Sequence, residues 1–244
     1  MVSFIHIGKT GGTTLDTILS KHLEQYKTYH LTKNYNNQEK YIIWIRNPIS
    51  RFVSAFNHAS SVINSELDET DYNLTNSLSP LRMLNKKKGL QNFIYSEAYD
   101  NQIKLFDTAN DLAESLTSSN FKRKEEAVKL MNMKEEHLFK GIGWYLNNGN
   151  FIINRHSRIL FIGCQEYMSN DIKRLSEKLG LNLDYDIKLR ENVYVDNSMK
   201  YLSQRAINNI KDWYKDTDYK ALVQIEKYGF ISKETLESYY SYNG

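Results

Sequence analysis

The sequence predicts an α/β fold, a central and mostly parallel sheet with helices on its faces, and three observations carry that prediction. Short apolar runs rich in β-formers recur at Phe4–Ile7, Tyr41–Ile45 and Ile159–Gly163, and a helical pattern follows each. Such near-continuous apolar strands belong inside a parallel sheet, where both faces are covered. The first run breaks into a glycine- and threonine-rich turn, Gly8-Lys9-Thr10-Gly11-Gly12-Thr13-Thr14, the usual join between strand and helix. Finally, 244 residues with 41% hydrophobic and 25% charged content suit one globular domain, 1–244, able to bury a proper core.

Taken in order, Leu15, Ile18, Leu19 and Leu23 predict a helix from Thr13 to about Tyr26. Thr28 to Leu31 reads as a short extended segment, and Lys33 to Glu39 as a polar turn. The strand Tyr41–Ile45 ends in Arg46-Asn47-Pro48, with Pro48 suited to the first position of the helix that carries Phe52, Val53 and Phe56. Ser, Asn and Asp dominate Asn64 to Ser79, which predicts a long loop before a helix around Leu90 to Ala98. Glu125 to Leu138 reads as a helix, Gly141 to Leu146 as an aromatic segment beside a cofactor or acceptor. Ile172, Leu175 and Leu179 form the apolar face of a helix that Gly180 stops. A polar loop from Lys188 to Lys200 precedes terminal helices carrying Ile207, Ile210 and Trp213, then Leu222, Val223 and Ile225.

Composition excludes several classes. A net charge of +3 is too small to imply nucleic acid and is compatible with anionic ligands. The single cysteine, Cys164, rules out an internal disulfide framework and a cysteine-rich zinc site, and its apolar run marks it as a buried strand residue rather than a nucleophile. No acidic or histidine cluster has metal-ligand spacing. With no leader and no membrane-length apolar run, a cytoplasmic protein or an excised catalytic domain is expected. The basic runs Lys86–Lys88 and Lys122–Lys124 read first as solvated helix ends.

The glycine turn is the candidate site. Backbone N–H groups of such a turn, and of the helix that follows, have no partner of their own, and the helix dipole adds positive charge. Lys9 supplies a full charge, and the hydroxyls of Thr10, Thr13 and Thr14 add donors. The Walker pattern does not fit, because no glycine stands ahead of Gly8 and the lysine precedes the Gly11-Gly12 pair. Arg46, at the end of the next strand, heads a helix with Ser50, Arg51 and Ser54, a second anion clamp suited to phosphate. Two such units side by side build a nucleotide site at the carboxyl ends of parallel strands.

These residues carry a resemblance. The stretch from Phe4 to Thr14 resembles the 5′-phosphosulfate loop of the sulfotransferases, in the form seen in carbohydrate enzymes such as the heparan sulfate 2-O-sulfotransferase group. Those usually have proline where Gly8 stands, a departure expected to change stiffness more than chemistry. Arg46 to Phe56 resembles their 3′-phosphate motif, with Arg46 and Ser54 at the two cofactor-holding positions. Looser similarity extends through Asn101–Phe106, Phe161–Glu166 and Arg190 to Tyr219.

The resemblance implies a P-loop-NTPase-like sulfotransferase fold and sulfuryl transfer from 3′-phosphoadenosine-5′-phosphosulfate (PAPS) to an acceptor hydroxyl, with a glycan as partner. It implies cofactor contacts from Gly8, Lys9, Thr10, Gly11, Gly12, Thr13, Thr14, Arg46 and Ser54, and from Arg190 on a late basic loop. Lys9 would neutralise charge on the leaving phosphate, and the family's base lies between the two motifs, where His30 stands. Glu24 and Glu39 share that interval but read as solvated, His6 as packed in the sheet; among the other histidines only His58 has a place near an acceptor cleft. A kinase with a degenerate phosphate loop, and a non-catalytic nucleotide-binding protein, are the alternatives.

Overall fold

In the computed structural model, which describes residues 1–65, 96–134, 137–183 and 197–243, the strands β1 (Val2–Ile5), β2 (Tyr26–Tyr29), β3 (Lys40–Ile45) and β4 (Ile159–Cys164) form one sheet in the order β2-β1-β3-β4. Every neighbouring pair is parallel, as the apolar runs predict. Around it run α1 (Gly12–His22), α2 (Pro48–Ser65), α3 (Glu97–Ile103), α4 (Ala109–Ser115), α5 (Phe121–Asn132) and α6 (Ile142–Tyr145). After these come α7 (Asn150–Arg155), α8 (Met168–Leu179), α9 (Gln204–Tyr214), α10 (Lys220–Lys227) and α11 (Lys233–Tyr240).

Alternation along the strands splits the core in two. Phe4, Ile42, Trp44 and Phe161 face α1 and α8 through Leu15, Leu19, Ile172 and Leu175. Ile5, Ile43 and Ile45 point the other way, into a larger cluster with α2, α4, α5, α9 and α10. Trp44 is fully buried because its β4 partner in the register is Gly163, where a Cβ would come within 2.3 Å of the indole.

Local chemistry explains where elements begin and end. α1 stops at His22 because Leu23 is extended, and β2 begins at Tyr26, two residues before the extended segment expected from Thr28. α5 starts at Phe121 rather than Glu125, since the Asn120 side chain accepts from Arg123 N and caps it. Its basic run is part of that helix, with Arg123 paired to Asp111 and lying over the Phe106 ring. Gly180, at φ +64°, closes α8 as the sequence predicts. Lys86–Lys88, the polar stretch from 66 onward and most of the segment 90–98 lie outside the described residues.

One charge pair ties the large cluster to the sheet. Arg51, on α2, is fully buried and meets Asp218 at 3.4 Å, on the π-helical turn between α9 and α10. Arg51 Nη1 also donates to the His137 carbonyl at 2.7 Å, and Gly143 N donates to Asp218 Oδ1 at 2.8 Å. Arg51 is thus a core strut, not part of an anion clamp. Removing one partner strands the other as a buried charge, so Asp218→Ala is expected to cost about 3–5 kcal/mol in urea unfolding. A loss under 1 kcal/mol, roughly the value of an exposed pair, would show that the pair is dispensable.

Candidate functional site

Register brings the two sequence motifs together. Ile5 pairs with Ile43 across β1 and β3, and Gly8 and Arg46 each follow three residues later. β1 connects onward to β2 on one side, whereas β3 connects to β4 on the other. The crevice between them is the topological switch point, where open parallel sheets hold their ligands.

The loop from His6 to Gly11 turns sharply there. Lys9 and Gly11 take left-handed backbone conformations, at φ 69° and 79°. Gly11 is the residue before α1, which starts with no side-chain cap and no acidic residue in its first turn. Its amide end is therefore dressed for an anion. Thr10 corrects the sequence reading: its hydroxyl is buried and donates to Ile7 O at 2.8 Å, so it closes the loop on itself instead of offering a donor to a ligand. Thr13 is exposed and Thr14 part-exposed.

Side chains pack against the bare glycines. A Cβ at Gly12 would fall 2.0 Å from the His6 ring, and one at Gly11 would fall 1.9 Å from Gln165 Oε1. That Gln165 oxygen is buried without a hydrogen-bond partner. A Cβ at Gly8 would lie 2.1 Å from His137 Nδ1, so the loop accepts a histidine ring where the resembled family has proline.

Arg46 Nη1 donates to the Lys9 carbonyl at 3.3 Å, joining the second motif to the first. Burial pulls its guanidinium below the usual arginine value, an effect opposed by Glu166; arginine stays charged all the same. The amide end of α2 does not repeat that of α1. Asn47 N donates to Glu166 Oε1 at 2.8 Å, and Ile49 N to Asn47 Oδ1 at 2.9 Å, so a protein carboxylate and a side-chain cap already occupy it. Glu166 is held in turn by the Tyr239 hydroxyl at 2.7 Å. The second unit can thus meet a ligand through the Arg46 side chain, with Ser50 and Ser54 part-exposed on α2. Arg190 lies outside the described residues.

Four of the six histidines gather beside the loop. Ring centroids run from His6 to His30 at 4.3 Å, His30 to His137 at 5.5 Å and His137 to His58 at 6.1 Å. His30 follows β2 directly, and its Nδ1 lies 3.1 Å from the His6 carbonyl. A carbonyl only accepts, so Nδ1 carries a proton in this contact, and whenever the ring is neutral its lone pair stands at Nε2. His6 is not simply packed in the sheet: it stacks between Phe4 and His30 at the strand's end. Sequence reasoning missed His137, which sits far along the chain; the glycine at position 8 was the one trace of it.

Neighbouring residues complete the frame. Leu31, at φ 55°, donates its N–H to the Tyr145 hydroxyl at 3.1 Å, which places the aromatic segment beside His30. Lys33 Nζ stands 4.5 Å and Lys140 Nζ 5.4 Å from the centroid of Trp144. Glu39 is buried, not solvated, and accepts from the Tyr29 hydroxyl at 2.8 Å, while Glu24 is exposed. Cys164 is buried, and burial pushes its thiol up to about 12, which leaves it inert as a nucleophile.

No protein-family model, no curated protein and no solved structure matches the chain. No helix among the described residues is long and apolar enough to cross a membrane. Among the described residues no cluster of three His, Cys, Asp or Glu could hold a metal ion.

The buried histidines make stability depend on pH. Burial first, then His30 and Lys9, lower His6 to about 3, and burial with Lys9 holds His137 well below its ordinary value. The folded chain then binds fewer protons than the unfolded chain between pH 6.5 and about 3, so stability falls as pH drops through that window. The slope is at most about 1.4 kcal/mol per pH unit for each such histidine. Calorimetric Tm is expected to fall from pH 7 to 4.5, and less steeply in His6→Phe, which keeps the ring stack. Equal slopes in both proteins would exclude His6 as a source.

Proposed function

We propose that the chain is a PAPS-dependent sulfotransferase of the P-loop-like fold, moving a sulfuryl group to an acceptor hydroxyl on a carbohydrate. The observation that carries the reading is the Arg46 to Lys9 contact: both resembled motifs meet at one switch point, beside an uncapped helix. Lys9, the amide end of α1 and the hydroxyls of Thr13 and Thr14 would hold the 5′-phosphosulfate, with Gly8, Gly11 and Gly12 letting it approach the backbone. Arg46 and Ser54 would take the 3′-phosphate; Thr10 shapes the loop. Gln165, whose buried Oε1 has no partner, would offer two N–H donors if its carboxamide were turned end for end.

In the transfer, the acceptor oxygen forms a bond to sulfur as the bond from sulfur to the bridging oxygen breaks. His30 Nε2 receives the acceptor's proton, and Lys9 balances the charge growing on the departing phosphate. The four-histidine group supports this assignment, since the Nδ1 contact with His6 fixes the tautomer in which Nε2 is basic. The carbohydrate acceptor rests on the resemblance and on Trp144, next to the Tyr145 that holds Leu31, with two lysines at its face.

Calorimetric titration with 3′,5′-adenosine bisphosphate (PAP), set against ADP and magnesium-ATP, tests the reading. PAP is expected to bind without metal and in preference to both. Arg46→Ala should weaken PAP by about tenfold to a hundredfold, the value of charge-assisted hydrogen bonds of about 1.5–3 kcal/mol. Lys9→Ala should leave the fold intact and lower turnover of PAPS by a factor on the order of 10²–10³. Preference for magnesium-ATP would replace the sulfotransferase with a kinase, and unchanged PAPS turnover in Lys9→Ala would remove catalysis from the loop.

A further inference from the structure

Resting on the sulfotransferase reading, we propose that His137 is a positioning residue for the transfer step, wedged between the Gly8 notch and the His30 ring so that anion loop and base keep a fixed separation. The wedge has a tight front. A Cβ on Gly8 would lie 2.1 Å from His137 Nδ1 and 2.5 Å from its Cε1, so the ring rests on bare loop backbone. Any side chain at position 8, proline included, would force one of the two to move.

Its flank is the His30 ring, 5.5 Å away between centroids, and His30 is itself in contact with His6, ring to ring at 4.3 Å and Nδ1 to carbonyl at 3.1 Å. Its back is rigid as well. The His137 carbonyl takes the Arg51 guanidinium at 2.7 Å, and the next carbonyl, of Leu138, takes the Tyr214 hydroxyl at 2.7 Å. Arg51 is locked in turn by Asp218, with both side chains buried. Two consecutive carbonyls pinned to the core give the imidazole little room to retreat from the loop. Burial with Lys9 nearby keeps the ring uncharged, so it fills space beside a cationic loop without repelling it.

The role differs from that of His30: the ring acts through its shape, holding the His30 ring and the Gly8 backbone apart, and takes no proton. Four variants and two readouts separate these possibilities. The first readout is hydrolysis of PAPS to PAP and sulfate, with water in place of the unidentified acceptor. The second is the set of imidazole signals of ¹⁵N-histidine-labelled protein, which reports on ring packing whatever the chemistry.

His137→Ala is expected to lower the hydrolysis rate at saturating PAPS by about tenfold or more while PAP affinity holds, because misplacement by about 1 Å can cost a factor of 10². His137→Phe, which keeps a flat ring without nitrogens, is expected to recover most of that loss. Gly8→Ala should shift the His30 signals and depress hydrolysis, and adding His137→Ala to Gly8→Ala should restore part of the rate. Melting curves of all four variants confirm that each is folded.

Folded His137→Phe as slow as His137→Ala would overturn the proposal and assign His137 a chemical role. Gly8→Ala with unshifted His30 signals would deny the wedge itself. A wild-type chain that neither binds PAP nor hydrolyses PAPS, while Gly8→Ala still shifts the His30 signals, would remove the transfer step and hence the assigned role, leaving only the packing.

Discussion

β1 and β3 pair in a register that sets Ile5 beside Ile43, and the chain leaves each strand within a few residues of that pair. Everything at the site descends from this pairing. It brings the glycine loop and Arg46 to one level of the sheet, and because the two strands continue to opposite sides, no further strand among the described residues closes the crevice above them. The apolar alternation enforces it: a slip of one residue would carry Phe4, Ile42 and Trp44 out of one core cluster and into the other. A single hydrogen bond from Arg46 to the Lys9 carbonyl then records that the two segments share one place.

Two helices begin at that crevice, and their amide ends are treated in opposite ways. The start of α1 bears no side-chain cap and no carboxylate, so its dipole and orphan N–H groups face the loop's concavity. The start of α2 is filled by Asn47 and by Glu166, a carboxylate already serving as the anion. The asymmetry gives the site one backbone cradle and one side-chain clamp. It also places Glu166 near Arg46, where its charge supports a guanidinium that burial would otherwise disfavour.

Much of this was legible in the chain. Near-continuous apolar runs located β1, β3 and β4 to within two residues, since a strand covered on both faces has no polar positions to blur the pattern. Gly180 marked the end of α8 because a left-handed residue there favours glycine. What local pattern could not reveal was partnership across distance. Thr10 looked like a ligand donor because a hydroxyl in a loop carries no sign of the carbonyl it will meet. Glu39 stood in a polar turn and read as solvated, but the Tyr29 hydroxyl covers it. Arg51 read as part of an anion clamp beside Arg46, but its partner is Asp218, which lies beyond α9. Gly8 suggested a change of stiffness, whereas the imidazole resting there comes from residue 137.

The Glu166 carboxylate has a consequence for how the molecule is made. Asn47 has its amide satisfied by residue 166, synthesised well after it, and its side-chain nitrogen donates to the carbonyl of Tyr239, 192 residues further on. Tyr239 also supplies the hydroxyl that steadies Glu166. β1, α1 and β2 are joined by contacts close in sequence, whereas the glycine loop meets His137 and Gln165, and the Arg46 side cannot be sealed until nearly the whole described chain has been synthesised. Contacts of such separation form late, since the loop they close must first be ordered. The order of synthesis therefore delays the complete crevice until α11 has docked.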